Sequence, residues 1–241
     1  MQDRFKRRDF LAMTGALAAS ALPLPAFAQA GGKMKIGIIG SGRVGGAVGG
    51  SWVKAGHEVM FSSLDLEADK KLAASLGGGA KAGTTREAAA FGSVLMISVP
   101  YKALPSIGKE LGDLIKGKVM IDTSNPIVAR DGDMAVAARE KGAGQSSMEF
   151  LPGARIVRAF NAIGFARMAE ARNNTGERVG MPIAGDDADA IKIASALIRD
   201  VGYEPVLVGT LATMGKHLIP GTPLSGERSP DEIRRVAATL K

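Results

Sequence analysis

Gly40-Ser-Gly42-Arg-Val-Gly45 is the segment whose residue types and spacing speak most directly of chemistry. An apolar run, Met34-Lys-Ile36-Gly-Ile38-Ile39, leads into it. A helix-like segment, Val44 to Ala55, follows, with Val44, Val48, Trp52 and Ala55 on one face and Gly56 as its stop. A buried strand, a glycine-rich turn and a helix start are the parts of a dinucleotide-binding motif. Gly40 lets the chain turn sharply out of the strand. Gly42 leaves room for backbone to approach a pyrophosphate, and Gly45 lets helix and strand pack closely. Free N–H groups at the helix start, with the dipole behind them, favour the anion. Gly40, Ser41, Gly42, Arg43, Val44 and Gly45 are therefore the expected phosphate-binding residues. With 32 glycines in the chain, the string alone is weak; the strand before it and the helix after it give it weight.

The end of the second strand, His57-Glu-Val-Met-Phe61, bears on which dinucleotide binds. An acid there would hold a ribose 2′-hydroxyl and repel a 2′-phosphate. Ser62 and Ser63 stand there instead, and Asp65 comes a few residues late. Hydroxyls can donate to a phosphate, and Arg43 offers a charged donor nearby. The expected cofactor is NADP rather than NAD. Val99-Pro100 and Ser124-Asn125-Pro126 end two further apolar runs, Val94–Val99 and Lys118–Asp122. Ligands of open parallel sheets bind beyond such carboxyl ends, so Val99, Pro100 and Asn125 are expected on the nicotinamide side. No Ser-His-Asp set, paired carboxylates or metal-ligand cluster stands out. Asp186 and Asp187 read as a turn and helix cap, His57 as structural and His217 as a loop residue. Hydride transfer between flat rings needs position more than acid–base groups.

The elements that must position these residues alternate strand and helix. Helices are expected at Leu66–Leu76, Arg86–Phe91 and Ala103–Lys116, between the apolar runs. The fold class is α/β: a doubly wound, mostly parallel sheet of the Rossmann type with a small C-terminal lobe. Residues 34–160 are expected to form the NADP-binding domain. Residues 161–241 form a small α/β lobe that completes the acceptor cleft. That lobe reads as strands at Met181–Gly185 and Glu204–Val208, a helix over Asp187–Arg199, and a last helix capped by Ser229 with Pro230 at its first position.

Several segments agree with one family: Ile36–Gly45, Gly56–Ser63, Ile97-Ser-Val-Pro-Tyr101, Asp122-Thr-Ser-Asn-Pro126, Leu151–Arg155, Val157-Arg-Ala-Phe-Asn161, Ala184–Asp187 and Pro220–Pro223. Together they resemble the NADPH-dependent F420 reductases, across nearly the whole chain after its leader. The resemblance implies hydride transfer between NADPH and a flat acceptor, F420 (a deazaflavin) or a flavin. It implies that the glycine loop holds the pyrophosphate and that Ser62 and Ser63 lie at the 2′-phosphate. Val99, Pro100 and Asn125 would lie near the nicotinamide, and Ala159, Phe160 and Asn161 near the acceptor. Position agrees for the last pair: Phe160 as an apolar wall and Asn161 as a polar contact end a strand on the ligand edge. One departure is Leu64, where members often carry Arg. Two other readings are an imine- or hydroxyacid-type NADP reductase, disfavoured because the chain after the core is short and partly strand, and a non-catalytic dinucleotide-binding module.

Composition excludes more than it assigns. The 241 residues contain no cysteine, which removes disulfides, thiolate metal sites and cysteine nucleophiles. The formal charge is +7, scattered without a basic stripe, and aromatics are 5%, so no nucleic-acid surface is expected. The excess suits an anionic small molecule. At the start, Arg7-Arg8-Asp9-Phe10-Leu11 resembles the twin-arginine export motif. An alanine-rich stretch follows, and Ala26-Phe27-Ala28 fits cleavage after Ala28. Residues 1–28 are therefore expected to be a signal read by the twin-arginine machinery. They direct the protein to the periplasm or beyond, without stable membrane insertion. The other expected partner is a small-molecule redox acceptor; a homodimer is compatible with the sequence.

Overall fold

The structure, a computed structural model, describes residues 32–171 and 176–240. The expected export signal, 1–28, lies outside the described residues. The glycine motif joins β1 (Lys35–Ile39) to α1 (Arg43–Lys54). The chain continues through β2 (Glu58–Ser62), α2 (Leu66–Leu76), β3 (Ala80–Ala82), α3 (Thr85–Phe91) and β4 (Val94–Ile97). Next come α4 (Leu104–Ile115), β5 (Val119–Asp122), three short helices and β6 (Arg155–Arg158). The short helices are α5 (Val128–Asp131), α6 (Asp133–Lys141) and α7 (Ala143–Phe150). After β6 lie α8 (Phe165–Met168), β7 (Gly180–Gly185), α9 (Ala188–Val201), β8 (Glu204–Gly209), α10 (Leu211–Met214) and α11 (Pro230–Ala238).

One sheet carries all eight strands in the order β3-β2-β1-β4-β5-β6-β7-β8. The first six strands pair in parallel, β6 and β7 pair antiparallel, and β7 and β8 are again parallel. The fold is thus α/β with a doubly wound, mostly parallel sheet. The second half adds two strands to the same sheet, with the chain direction reversed once.

Both faces of the sheet are covered, so the central strands are apolar without alternation. Ile36, Ile38, Val59, Val94 and Met96 meet α1 and α9 on one face. Leu95, Ile97 and Met120 meet α4 on the other, where α11 covers β8. Trp52 is fully buried on α1, and its indole N–H donates to Leu197 O of α9 at 2.8 Å, so its one polar atom is satisfied inside the core. Where the chain reverses, Arg155 at the start of β6 donates through Nε and Nη2 to the two carboxylate oxygens of Asp187, at 2.8 and 2.6 Å. The same carboxylate caps α9 by accepting from Ala190 N at 2.8 Å. One side chain therefore starts a helix and fixes the antiparallel pair.

Candidate active site

The registers align Ser62, Ile39, Ile97, Asp122 and Arg158 as one row across the carboxyl ends of β2, β1, β4, β5 and β6. Apart from Ser62, which stands in the row, everything expected to touch a ligand follows it by a few residues. At β1, Gly40 has φ of +98°, and a Cβ there would stand 2.3 Å from Ser98 O; only glycine makes this turn. A Cβ on Gly45 would stand 2.1 Å from Gly40 O. A Cβ on Gly42 would meet nothing within 4 Å. The outer glycines are thus required by the protein itself, whereas Gly42 faces open space. The first-turn N–H groups of α1 lack intrahelical acceptors, and Gly42 supplies no side-chain cap. This arrangement can hold a pyrophosphate.

Neighbouring groups fix the loop's shape. Gly40 N and Ser41 N both donate to Ser62 O, at 2.8 and 3.0 Å. The Ser62 side chain is fully buried and donates to Ile38 O at 2.6 Å. The expectation that its hydroxyl reaches a 2′-phosphate is corrected: it faces the sheet, and Ser62 shapes the loop through its carbonyl. Ser63 stays partly exposed at the strand end. Its hydroxyl donates to Asp69 Oδ2 at 2.9 Å, and Ser41 Oγ donates to Asp69 Oδ1. Asp69, in the first turn of α2, is 2% exposed. Sequence reasoning missed this carboxylate, whose only signal is one acid among several near the start of α2. Arg43 extends over the Phe165 ring, 5.2 Å from its centroid, so α8 reaches across to the glycine loop. Leu64 is entirely exposed beside Ser63.

On the other side of the row a buried polar network sets the ends of β5 and β6. Arg158 and Asp122 are both fully buried and form an ion pair through Arg158 Nη1 and Asp122 Oδ2. Ser147 Oγ also donates to Asp122 Oδ2 at 2.8 Å, and Ser124 N donates to Oδ1 at 2.8 Å. Arg158 Nη2 donates to Ser124 O and Leu218 O, both at 3.1 Å. Tyr101, just after Pro100, donates to Ala143 O at 2.6 Å; burial and the nearby Asp122 push its phenol up to about 12. The network ties the loops after β4, β5 and β6 to the 215–222 segment. Losing one member of such a pair would cost about 3–5 kcal/mol, because the other charge stays buried.

Val99 is half-buried, Pro100 exposed and Asn125 half-buried at these ends. Asn125 Nδ2 donates to Asn161 O at 3.0 Å, which joins the β5 and β6 ends directly. Ala159 and Phe160 do not face the cleft as expected. Ala159 is fully buried, and its N–H donates to Asp122 O at 3.3 Å. Phe160 has a left-handed backbone, φ +63°, and its ring lies between Trp52 and Tyr203 at centroid distances of 6.5 and 6.3 Å. That conformation costs a residue with Cβ about 1–2 kcal/mol, offset here by aromatic packing. The kink turns Phe160 into the core and carries the chain back over the strand end at Asn161.

Asn161 is 3% exposed; its Nδ2 donates to Ser124 O at 3.4 Å, and its Oδ1 has no partner among the described residues. Ser124 Oγ, Arg158 Nε and His217 Nε2 are likewise buried without partners. Burial and Lys216 hold the His217 imidazole below its ordinary value. Buried polar atoms left unpaired cost about 1–3 kcal/mol each; these four belong to the ends of β5 and β6 and to the 215–222 segment, while Tyr203 Oη and Arg228 Nε are unpartnered elsewhere among the described residues. Among the described residues, no group of three or more His, Asp or Glu side chains is placed to hold a metal, and no helix is long and apolar enough to cross a membrane.

Known proteins resemble this arrangement. Residues 35–126 match the family described as NADP oxidoreductase, coenzyme F420-dependent. The chain is 30% identical over 183 residues to the F420-dependent NADP reductase of Methanothermobacter thermautotrophicus, covering 70% of this chain and 77% of that protein. It is 29% identical over 183 residues to the metalloreductase STEAP3 of Rattus norvegicus; the match takes in 74% of this chain and 34% of that protein, so the chain spans about a third of its length. Among solved structures, a hypothetical protein of Sinorhizobium meliloti superimposes with a TM-score of 0.71 at 25% identity, over 82% of this chain and 96% of that one.

Proposed function

The chain belongs to the coenzyme F420-dependent NADP oxidoreductase family and is an NADP-dependent oxidoreductase; from that premise we propose that it passes hydride between NADP(H) and a deazaflavin of the F420 type, with a flavin as the second acceptor to test. Bound there, NADPH would supply the hydride and leave as NADP, and the acceptor ring would take that hydride with one proton from solvent. The protein's part is binding and orientation. In this reading the first turn of α1 and the open side of Gly42 hold the pyrophosphate. Val99, Pro100 and Asn125 flank the nicotinamide. Asn161 is the polar contact for the acceptor.

The observation that carries the acceptor assignment is the unpartnered Asn161 Oδ1, buried beside the unpartnered Ser124 Oγ where β5 and β6 end. An acceptor with ring N–H and carbonyl groups would satisfy both. Anaerobic stopped-flow mixing of NADPH with F420, and separately with free flavin, tests the reading through loss of dihydronicotinamide absorbance. We expect rapid oxidation with F420. Asn161→Ala should lower kcat/KM for the acceptor about 10- to 100-fold, the range for one lost buried hydrogen bond, with NADPH affinity unchanged. Unchanged turnover in that variant would move the acceptor site toward His217 and the Pro220–Pro223 loop. We also propose that the protein acts outside the cytoplasm, on the strength of the Arg7-Arg8 leader.

A further inference from the structure

Two hydroxyls and a buried carboxylate meet where a dinucleotide's adenosine ribose would lie. Ser41 follows β1, Ser63 follows β2, and both donate their hydroxyl protons to Asp69, one to each carboxylate oxygen. Asp69 is 2% exposed, whereas its helical neighbours Glu67 and Lys70 face solvent and pair with each other at 2.8 Å. A serine hydroxyl has one proton. With that proton held by Asp69, each serine can show a ligand only lone pairs, and one of Ser63's already accepts from Asp65 N at 3.1 Å. Lone pairs accept from a ribose 2′-hydroxyl but repel a 2′-phosphate, which needs donors or cations.

The surroundings supply little to offset this. Leu64, wholly exposed, carries no charge. Arg43 is drawn toward α8, its guanidinium 5.2 Å from the Phe165 ring centroid. Asp65, also acidic, caps α2 by accepting from Ala68 N at 2.9 Å. The acid that a hydroxyl-reading site usually carries at the end of β2 is here supplied from α2, through two serines.

We propose that Asp69 is a positioning residue for cofactor choice, holding Ser41 and Ser63 as acceptors, so that the site takes NADH as a hydride donor alongside NADPH with little discrimination between them. The proposal rests on reading the β1–β2 edge as the dinucleotide site. Calorimetric titration of the full-length protein with NADPH and with NADH tests it, in wild type, Asp69→Asn and Ser63→Ala. The wild type should bind both with Kd values within about tenfold of each other. Asp69→Asn, which keeps the shape and removes the charge, should shift the ratio toward NADPH by about tenfold or more. Ser63→Ala should weaken NADH more than NADPH, because the lost oxygen is an acceptor for the 2′-hydroxyl. If Ser63 instead donates to a 2′-phosphate, the same variant weakens NADPH more, and the proposal falls. An unchanged ratio in Asp69→Asn would also overturn it and leave Asp69 as a brace for the loop. Failure of the wild type to bind either dinucleotide would overturn the underlying site assignment as well.

Discussion

At the scale of the residue, the three motif glycines separate into two kinds. Gly40 and Gly45 are fixed by sterics inside the protein, since any Cβ would strike backbone oxygen at 2.3 or 2.1 Å. Gly42 meets nothing, and its φ of −66° suits any residue. A side chain there therefore costs the fold little and acts on whatever occupies the space in front of α1. Gly42→Val should weaken NADPH binding at least about a hundredfold, or about 2.7 kcal/mol, while the melting temperature stays within a few degrees of wild type. Calorimetry and thermal unfolding on the same sample check it. A variant that binds as tightly as wild type would make the loop only a turn. The serines show the limit of residue-type reasoning. Ser62 and Ser63 look equivalent in sequence, yet one hydroxyl faces a strand carbonyl and the other a carboxylate on α2. Both faces of the strand are covered, so alternation does not reveal which serine is inside.

At the scale of the element, legibility followed the strength of local pattern. β1, β4 and β5 stand out as continuous apolar runs, α2 matches its expected bounds, and Pro230 and Ser229 mark the start of α11. β3 is three residues long and reads Ala-Lys-Ala, so no period declares it. The helices α5 to α7 are short and rich in alanine and polar or charged residues, and α7 is held to the Tyr101–Asp122–Arg158 network through Ala143 and Ser147. The burial of Asp69 and the turn of Phe160 into the core depend on contacts between elements distant in sequence. The junction of β6 with α9 yields a prediction that local pattern partly foretold, since Asp187 was legible as a cap. Arg155, the first cause, with Ala190 N beside it, lowers the Asp187 carboxyl from 3.8 to about 2. A carboxyl depressed on folding stabilises the native state at pH above its unfolded value. That contribution fades as pH falls from about 4 through about 2. Asn is also a good N-cap, so Asp187→Asn removes the charge and leaves the helix start intact. The variant should be less stable than wild type at neutral pH by about 1 kcal/mol or less, given that the pair is partly exposed. The difference should close below pH about 2. Urea unfolding at several pH values measures it; a difference independent of pH would assign the loss to capping alone.

At the scale of the whole molecule, the order of assembly matters. Parallel pairing joins strands far apart in sequence, and topologies with such long-range contacts fold slowly. The proposed dinucleotide site would exist only once β1, β2, β4 and β5 are side by side, because their ends would form it together. A route that carries folded proteins would let this chain assemble its sheet and load its cofactor in the cytoplasm before leaving. The Arg7-Arg8-Asp9-Phe10-Leu11 segment suits that route, and Ala26-Phe27-Ala28 suits removal of the leader afterward. The absence of cysteine means that oxidative folding outside the cytoplasm is not needed. We propose export as a folded, cofactor-loaded protein. Replacing Arg7 and Arg8 together by Lys keeps the charge but removes the paired guanidinium groups. In cell fractionation, the double variant should remain cytoplasmic at precursor length, whereas the wild type is recovered outside with Gln29 as its first residue by mass spectrometry. Normal export of the double variant would overturn the proposal, as would wild-type protein retained inside the cell.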